Sequence, residues 1–494
     1  MSLAARPWAK AFEITPPSPP PSRGGRFFGA ALALTLAVTG CQAFWGTAPG
    51  ASRSASPQVE GELIVKFKAE TGQSEREALR LTHGVQQVDA ILPDTERWTI
   101  QGDAAALRSA LSRHEAFEYA EPNYVRRTQA YAPSEASSQY QWYLRAQRGI
   151  DMNAAWNSTS FATASQASPP GKGVTVAVVD TGVDASHPDL APNIARVPAG
   201  IFENYPKLST RVASTSEGAP FYIDEVEGDT TLGTGNTPYA FKDGNGHGTH
   251  VAGILGAAGD NGGMVGVAPG VSILPVKVMR ADGSGSDFAI AQGLKDAADA
   301  GADVINLSVG GPEPSQLLAD VLAYDMAKGV TVVIASGNGY GAVYYPAAYA
   351  GVICVGATSG KEGSATSIPG YSNRGPEVSL VAPGGSSGVG DASKFNDGIY
   401  STLPTYSFYE SGRLPLNYGV LSGTSMATPV VSGVAALVIA DARARGQSLS
   451  PSQVRARLIA TAKPLSAGGF SNETGYGLVD PLKALQWSAA GGTP

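Results

Sequence analysis

From about Gln139 onward, short apolar runs alternate with segments of helical spacing, and this alternation constrains the fold more than any other feature. Val174 to Val179 is nearly unbroken in β-branched residues, as expected of a strand buried on both faces of a parallel sheet. Ser286 stands where it would N-cap a helix through Ala300, with Ile290 and Leu294 four apart and Gly301 as terminator. Val304 to Leu307 reads as the next strand. Ser315 opens another helix, with Leu318, Val321, Leu322 and Met326 on one face and Gly329 at its end, and Val330 to Ala335 follows as a strand. Ser450-Pro451 supplies a cap and a first-turn proline before a helix carrying Val454, Leu458 and Ile459. The pattern predicts an α/β fold, a doubly wound and mainly parallel sheet with helices on both faces. Such sheets bind ligands at the carboxyl ends of their strands, and Asp180 falls at such an end.

At 494 residues the chain exceeds one ordinary domain. Apolar residues make up 43% and charged residues 16%, with 61 glycines, which suits a loop-rich protein with a large core. A net charge of -7 argues against a general nucleic-acid or anionic-membrane surface.

The N-terminal third has a different texture. Residues 1–22 are proline-rich; Arg23 and Arg26 then precede an apolar run, Phe27 to Val38, too short to span a bilayer permanently. This reads as an export signal, so a secreted or cell-envelope bacterial location is expected. Its end, Val38-Thr39-Gly40-Cys41, resembles the bacterial lipobox, which implies lipidation of Cys41 and transient membrane anchoring. Cys354 sits in the apolar run Val352 to Val355 and is expected to be a buried, inert thiol. Residues 42–58 read as a linker. A small α+β unit follows at 59–130, with strands at Glu62 to Phe67, Val85 to Leu92 and Arg97 to Ile100 and helices at Ser74 to Leu81 and Asp103 to Leu111. The divisions expected are therefore 1–41, 42–58, 59–130 and 139–494.

Three strings carry chemistry: VVDTGVD at 178–184, GHGTHVAG at 246–253 and GTSMATP at 423–429. They offer a carboxylate, an imidazole and a hydroxyl. A serine hydroxyl is a poor nucleophile at neutral pH without an adjacent base, and that base needs its tautomer fixed by a buried acid. Of the five histidines, His83 and His114 lie in the small unit and His187 sits in a turn-like segment, Ser186-His187-Pro188. His247 and His250 remain as candidate bases. A nucleotide-binding reading fails on its own motif, because no GxGxxG or P-loop sequence follows the first strand.

In this order, Asp then His then Ser, the strings closely resemble the subtilisin-like serine peptidases. The resemblance implies a relay of Asp180, His247 and Ser425, with His250 a packed neighbour. It also implies that Asn338, in Ala335-Ser336-Gly337-Asn338-Gly339, completes an oxyanion hole with the N–H at Ser425. Val430 departs from the family, which usually has histidine after the residue matching Pro429. Ser308, Val309 and Gly310 resemble the edge strand on which peptide substrate pairs, and the resemblance implies that with Ala335, Ser336 and Gly337 they line the primary specificity pocket. The family often has a small residue before its Tyr-Pro pair; here Tyr344 precedes Tyr345-Pro346, so a filled floor and a preference for small or medium side chains are expected. Residues 59–130 resemble the inhibitory propeptides of the family, so the chain's own propeptide is an expected intramolecular inhibitor, removed by a cut between Arg126 and Ser138.

The resemblance further implies structural Ca²⁺ and no catalytic metal. Asp189 and Asp260 match the calcium-loop carboxylates, with Gln139 or Gln141 as the N-terminal glutamine. Two insertions, at about 195–242 and 385–420, enlarge the compact family pattern. The function expected is a secreted serine endopeptidase, acting on proteins or peptides as a monomer and made as a self-processed zymogen. The alternative is a catalytically silent binding protein on the same fold.

Overall fold

The computed structural model describes residues 58–128, 134–135, 141–145, 149–156, 158, 169–210, 212, 214–226, 242–259, 263–360, 367–386, 397–406 and 417–486. Cys41, Gln139 and Asp260 lie outside the described residues.

The small unit comprises β1 (Gln58–Phe67), α1 (Gln73–Thr82), β2 (Val85–Leu92), β3 (Thr95–Ile100), α2 (Ala104–Leu111) and β4 (Phe117–Thr128). β1 pairs antiparallel with both β3 and β4, and β2 extends the sheet beyond β3. The Asp103 carboxylate opens α2 by accepting the N–H groups of Ala105 and Ala106. Period-two alternation sorts the side chains of β1. Leu63, Val65 and Phe67 join Trp98 and Phe117 in a small aromatic core, whereas Ile64 belongs to the core of the larger domain.

The larger domain continues with β5 (Ser134–Glu135), α3 (Met152–Trp156), β6 (Thr175–Asp180), α4 (Ile201–Asn204), β7 (Ile223–Asp224) and α5 (His247–Gly256). Next come β8 (Ser272–Lys277), β9 (Ser284–Ser286), α6 (Asp287–Asp299), β10 (Val304–Leu307), β11 (Val309–Gly310) and α7 (Gln316–Ala327). Then follow β12 (Thr331–Ala335), β13 (Ile353–Thr358), β14 (Leu380–Pro383), β15 (Ile399–Thr402) and β16 (Tyr418–Leu421). Helices α8 (Thr424–Ala444), α9 (Pro451–Thr461) and α10 (Pro481–Gln486) close the described chain. The caps fall where the sequence places them: the hydroxyl of Ser286 accepts Ala289 N–H, that of Ser315 accepts Leu318 N–H, and Ser450 forms a reciprocal capping box with Gln453.

Seven strands make one parallel sheet in the order β14-β13-β12-β10-β6-β8-β7. From β6 the chain moves to β7 and β8 on one side, then returns past β6 to β10 and continues outward to β14. Right-handed crossovers run in opposite directions land on opposite faces, so α5 packs with α8 and α6 packs with α7. The reversal between β6 and β10 opens a crevice at their carboxyl ends, where ligands bind in such sheets. Helix α8 is buried from Thr424 to Ala442, so its long apolar sequence serves the core. Cys354 is buried in β13, and burial pushes its thiol well above the ordinary cysteine range.

Candidate active site

Asp180 is the last residue of β6 and is fully buried. A carboxylate there is costly unless paired. Its Oδ1 lies 2.6 Å from His247 Nδ1 and accepts the Thr181 N–H at 2.8 Å. His247 is the first residue of α5, entered through Gly246 at φ 98, a left-handed turn that favours glycine. His250, one turn on, meets backbone instead of a carboxylate, with Nε2 3.3 Å from Gly419 O. Burial and then the neighbouring His247 push its pKa down to about 3, so His250 stays neutral at working pH. His187 also has a structural partner, its Nε2 lying 2.9 Å from Asn417 O.

Ser425 lies in the first turn of α8, but Gly423 holds the N-cap position and the serine hydroxyl caps nothing. Instead Ser425 Oγ donates to Ser308 O at 3.1 Å, and Ser308 Oγ donates to Ser425 O at 3.0 Å. Ser308 directly follows β10, so the two bonds fasten the start of α8 to the crevice rim. Asn338, in the turn after β12, approaches the same helix start. Its Oδ1 accepts Thr424 N–H at 3.0 Å and Thr424 Oγ1 at 2.9 Å. A backbone N–H can only donate, so this contact identifies the oxygen end of the Asn338 amide and turns its NH₂ end away from Thr424.

Backbone edges flank the crevice. In β11, Val309 pairs antiparallel with Thr128 and Gly310 with Arg127. On the opposite edge, β9 pairs Ser286 with Val125, Gly285 with Arg126 and Ser284 with Arg127. The end of β4 therefore runs as a strand between two strands of the larger domain, the way a peptide adds to a sheet edge. Upstream of it, the Glu121 carboxylate caps α7, accepting Gln316 N–H at 2.7 Å, Leu317 N–H at 2.9 Å and Ser315 Oγ at 2.9 Å. Asn123 Oδ1 accepts Phe288 N–H at the start of α6 at 2.9 Å. Lys66 Nζ and Tyr119 Oη both reach Asp320. Burial raises the Glu121 pKa to about 7, against the opposing hydrogen bonds from α7.

The remaining expected residues fall nearby. Ala335 ends β12, and Ser336 and Gly337 follow it, all buried. Tyr344 is half-buried and lies along this segment: a Cβ on Gly337 would come 2.6 Å from its ring, and one on Gly339 2.2 Å from its hydroxyl. Asp189 is fully buried. Its Oδ2 accepts Met264 N–H and Tyr418 Oη, each at 2.9 Å, while its Oδ1 has no hydrogen-bond partner among the described residues. Gln141 exchanges hydrogen bonds with the backbone of Val265 at 2.6 and 3.1 Å.

Two residues escaped the sequence reading. Asp243 accepts Thr181 Oγ1, the N–H groups of Asn245, Gly246 and Thr249, and Thr249 Oγ1, at 2.6 to 3.1 Å. It thus ties the turn after Asp180 to the helix bearing His247; an aspartate just before a helix start was the available signal. Asn373, fully buried, binds the turn around Asn338, and nothing local in Tyr371-Ser372-Asn373-Arg374 signals a contact made so far along the chain.

Comparison with known proteins agrees with this architecture. Residues 171–477 match the Subtilase family, and residues 47–123 match the Fervidolysin N-terminal prodomain. Subtilisin DY of Bacillus licheniformis is 39% identical over 249 residues, covering 49% of this chain and 79% of that protein. M-protease of Shouchella clausii is 41% identical over 246 residues, covering 50% of this chain and 56% of that protein. The structure of fervidolysin from Fervidobacterium pennivorans, described as a keratinolytic enzyme related to subtilisin, superposes with a TM-score of 0.65 at 26% identity. That match covers 89% of this chain and 62% of fervidolysin. With the family match spanning the whole parallel sheet and a prodomain strand lying in the crevice, the chain belongs to the subtilase family of serine endopeptidases.

Proposed function

We propose that Asp180, His247 and Ser425 form the catalytic relay of this endopeptidase, with Asn338 as a side-chain donor to the oxyanion. The observation that carries the reading is the buried 2.6 Å contact between Asp180 and His247 at the crevice where α8 presents Ser425. In this reading Ser425 Oγ attacks the scissile carbonyl carbon while His247 Nε2 takes its proton. Asp180 holds the Nδ1–H tautomer and stabilises the imidazolium. The proton passes to the departing amine, leaving an acyl-enzyme that water, deprotonated by His247, hydrolyses. The start of α8 aims a backbone N–H and a positive dipole end at the developing oxyanion, and the Asn338 NH₂ supplies the second donor.

The substrate is an extended peptide pairing with β11 and β9. Tyr344 lies along the wall formed by Gly337 to Gly339, which supports a shallow pocket for small or medium side chains before the scissile bond. The prodomain occupies the cleft until a cut beyond Thr128, within the polar stretch reaching Ser138, frees a domain from about residue 139. Structural Ca²⁺ is supported by the chemistry of Asp189, a buried carboxylate whose Oδ1 has no hydrogen-bond partner among the described residues; Asp189 holds Met264 and Gln141 holds the following residue, Val265. Asp189 and Gln141 would hold the ion, which would contribute rigidity. Export is supported by the basic and apolar leader, and lipidation by Cys41. An anchor at Cys41 would stay with the prodomain side after the cut, so the peptidase would diffuse away.

Wild type and Ser425→Ala are compared for prodomain removal and casein hydrolysis. The variant is expected to stay uncut and inert. Processing and digestion at the wild-type rate would overturn the assignment.

A further inference from the structure

Asn373 is fully buried, yet each end of its amide is engaged, and each contact is made to the turn carrying Asn338. Its Nδ2 donates to Ser336 O at 3.1 Å, before Asn338. Its Oδ1 accepts Gly339 N–H at 2.8 Å and Gly341 N–H at 3.1 Å, after Asn338. The backbone adds two bonds on the same pattern: Asn373 N–H to Gly337 O at 2.9 Å, and Arg374 N–H to Gly341 O at 2.8 Å. The turn needs such support. Gly337 has φ 100 and Tyr340 has φ 59, so the backbone enters the left-handed region on both sides of Asn338. Gly337 and Gly339 carry no side chain to pack, and a Cβ on Gly337 would come 2.4 Å from Asn373 Nδ2.

We infer that Asn373 is the positioning residue of the oxyanion site: one buried amide clamps the turn on both sides of Asn338 and so fixes where the Asn338 carboxamide stands against Thr424. This rests on the reading of Asn338 as an oxyanion donor. Among the described residues Asn373 makes no hydrogen bond to the Asn338 carboxamide; it acts through the backbone on either side. An oxyanion donor is effective only when it is held where charge will develop. Loosening the turn therefore weakens transition-state binding more than substrate binding, and the loss belongs in kcat.

The test is a double-mutant cycle in the full-length chain: wild type, Asn373→Ala, Asn338→Ala and the double variant. Each is matured by a trace of tagged wild-type enzyme that is then removed, and kcat and KM are measured on one peptide substrate. Asn338→Ala should lower kcat about 10²–10³-fold. Asn373→Ala should lower kcat about tenfold with KM little changed, and should cost almost nothing further when Asn338 is already alanine. An equal loss in both backgrounds, or a loss confined to KM, would show that Asn373 serves general stability and would overturn the inference. An unchanged kcat in Asn338→Ala would sink the oxyanion reading itself, and the inference with it. If Asn373→Ala yields no folded protein, Asn373→Asp takes its place in the cycle under the same criteria, because it keeps the acceptor for Gly339 and Gly341 while losing the donor to Ser336.

Discussion

His247 and His250 stand one turn apart on α5, yet only His247 meets a carboxylate; His250 faces the carbonyl of Gly419. Replacing His247 with alanine should lower kcat by at least about 10⁴-fold, because the base and the proton donor to the leaving amine are lost together. His250→Asn should leave kcat within about tenfold of wild type and appear mainly as a lower melting temperature. Steady-state kinetics on the two matured variants separates the roles; equal loss of kcat in both would reverse the assignment of the base.

Tyr344 governs the pocket prediction. Tyr344→Gly should remove the ring that lies along Gly337 to Gly339 and open the floor to large side chains. The kcat/KM for a substrate with Phe before the scissile bond, relative to one with Ala, should rise at least about tenfold. A wild-type enzyme that already prefers Phe, Tyr or Leu by such a margin would show that the ring does not close the pocket.

Glu121 should make prodomain docking depend on pH. Its pKa when docked is about 7, above the ordinary glutamate value of 4.5, so docking takes up a proton between these values. The contribution to docking is therefore fully present below the free value and is lost as pH rises through about 7. After the first cut, prodomain release from the cleft should quicken from pH 5 to pH 8, and Glu121→Gln should flatten that dependence. Release that slows as pH rises would contradict the sign.

Asp189 carries the calcium prediction. Chelator should lower the melting temperature of the matured enzyme by several degrees, since a ligand bound only to the folded state stabilises it by mass action. Asp189→Asn should begin at a lower melting temperature and lose the response to chelator. A wild-type enzyme indifferent to chelator would leave Asp189 as a buried carboxylate held by Met264 and Tyr418 alone.

The sheet and its caps were legible because local chemistry and tertiary role agree there. The β-branched run before Asp180 needs burial on both faces, and Ser286, Ser315 and Ser450 each cap the helix that follows them. The three motifs placed Asp180, His247 and Ser425 on elements that converge on one crevice. What the sequence hid are the contacts that close over long separations. Asn373 is one loop residue among many until the fold brings it against Ser336 and Gly339, and Asp243 merely precedes a helix start until Thr181, far back in the chain, shares its carboxylate. Hydrogen bonds of this kind leave no periodicity in the chain, because their partners are chosen by topology.

Strand β4 belongs at once to the sheet of the small unit and to the cleft of the large one. Severing one peptide bond past its end would leave every one of those ladder bonds in place. Dormancy should then outlast the cut, and its duration should be set by how long the small aromatic core of Phe67, Trp98 and Phe117 holds together. Loosening one ring of that core should therefore shorten the silent interval without touching catalysis.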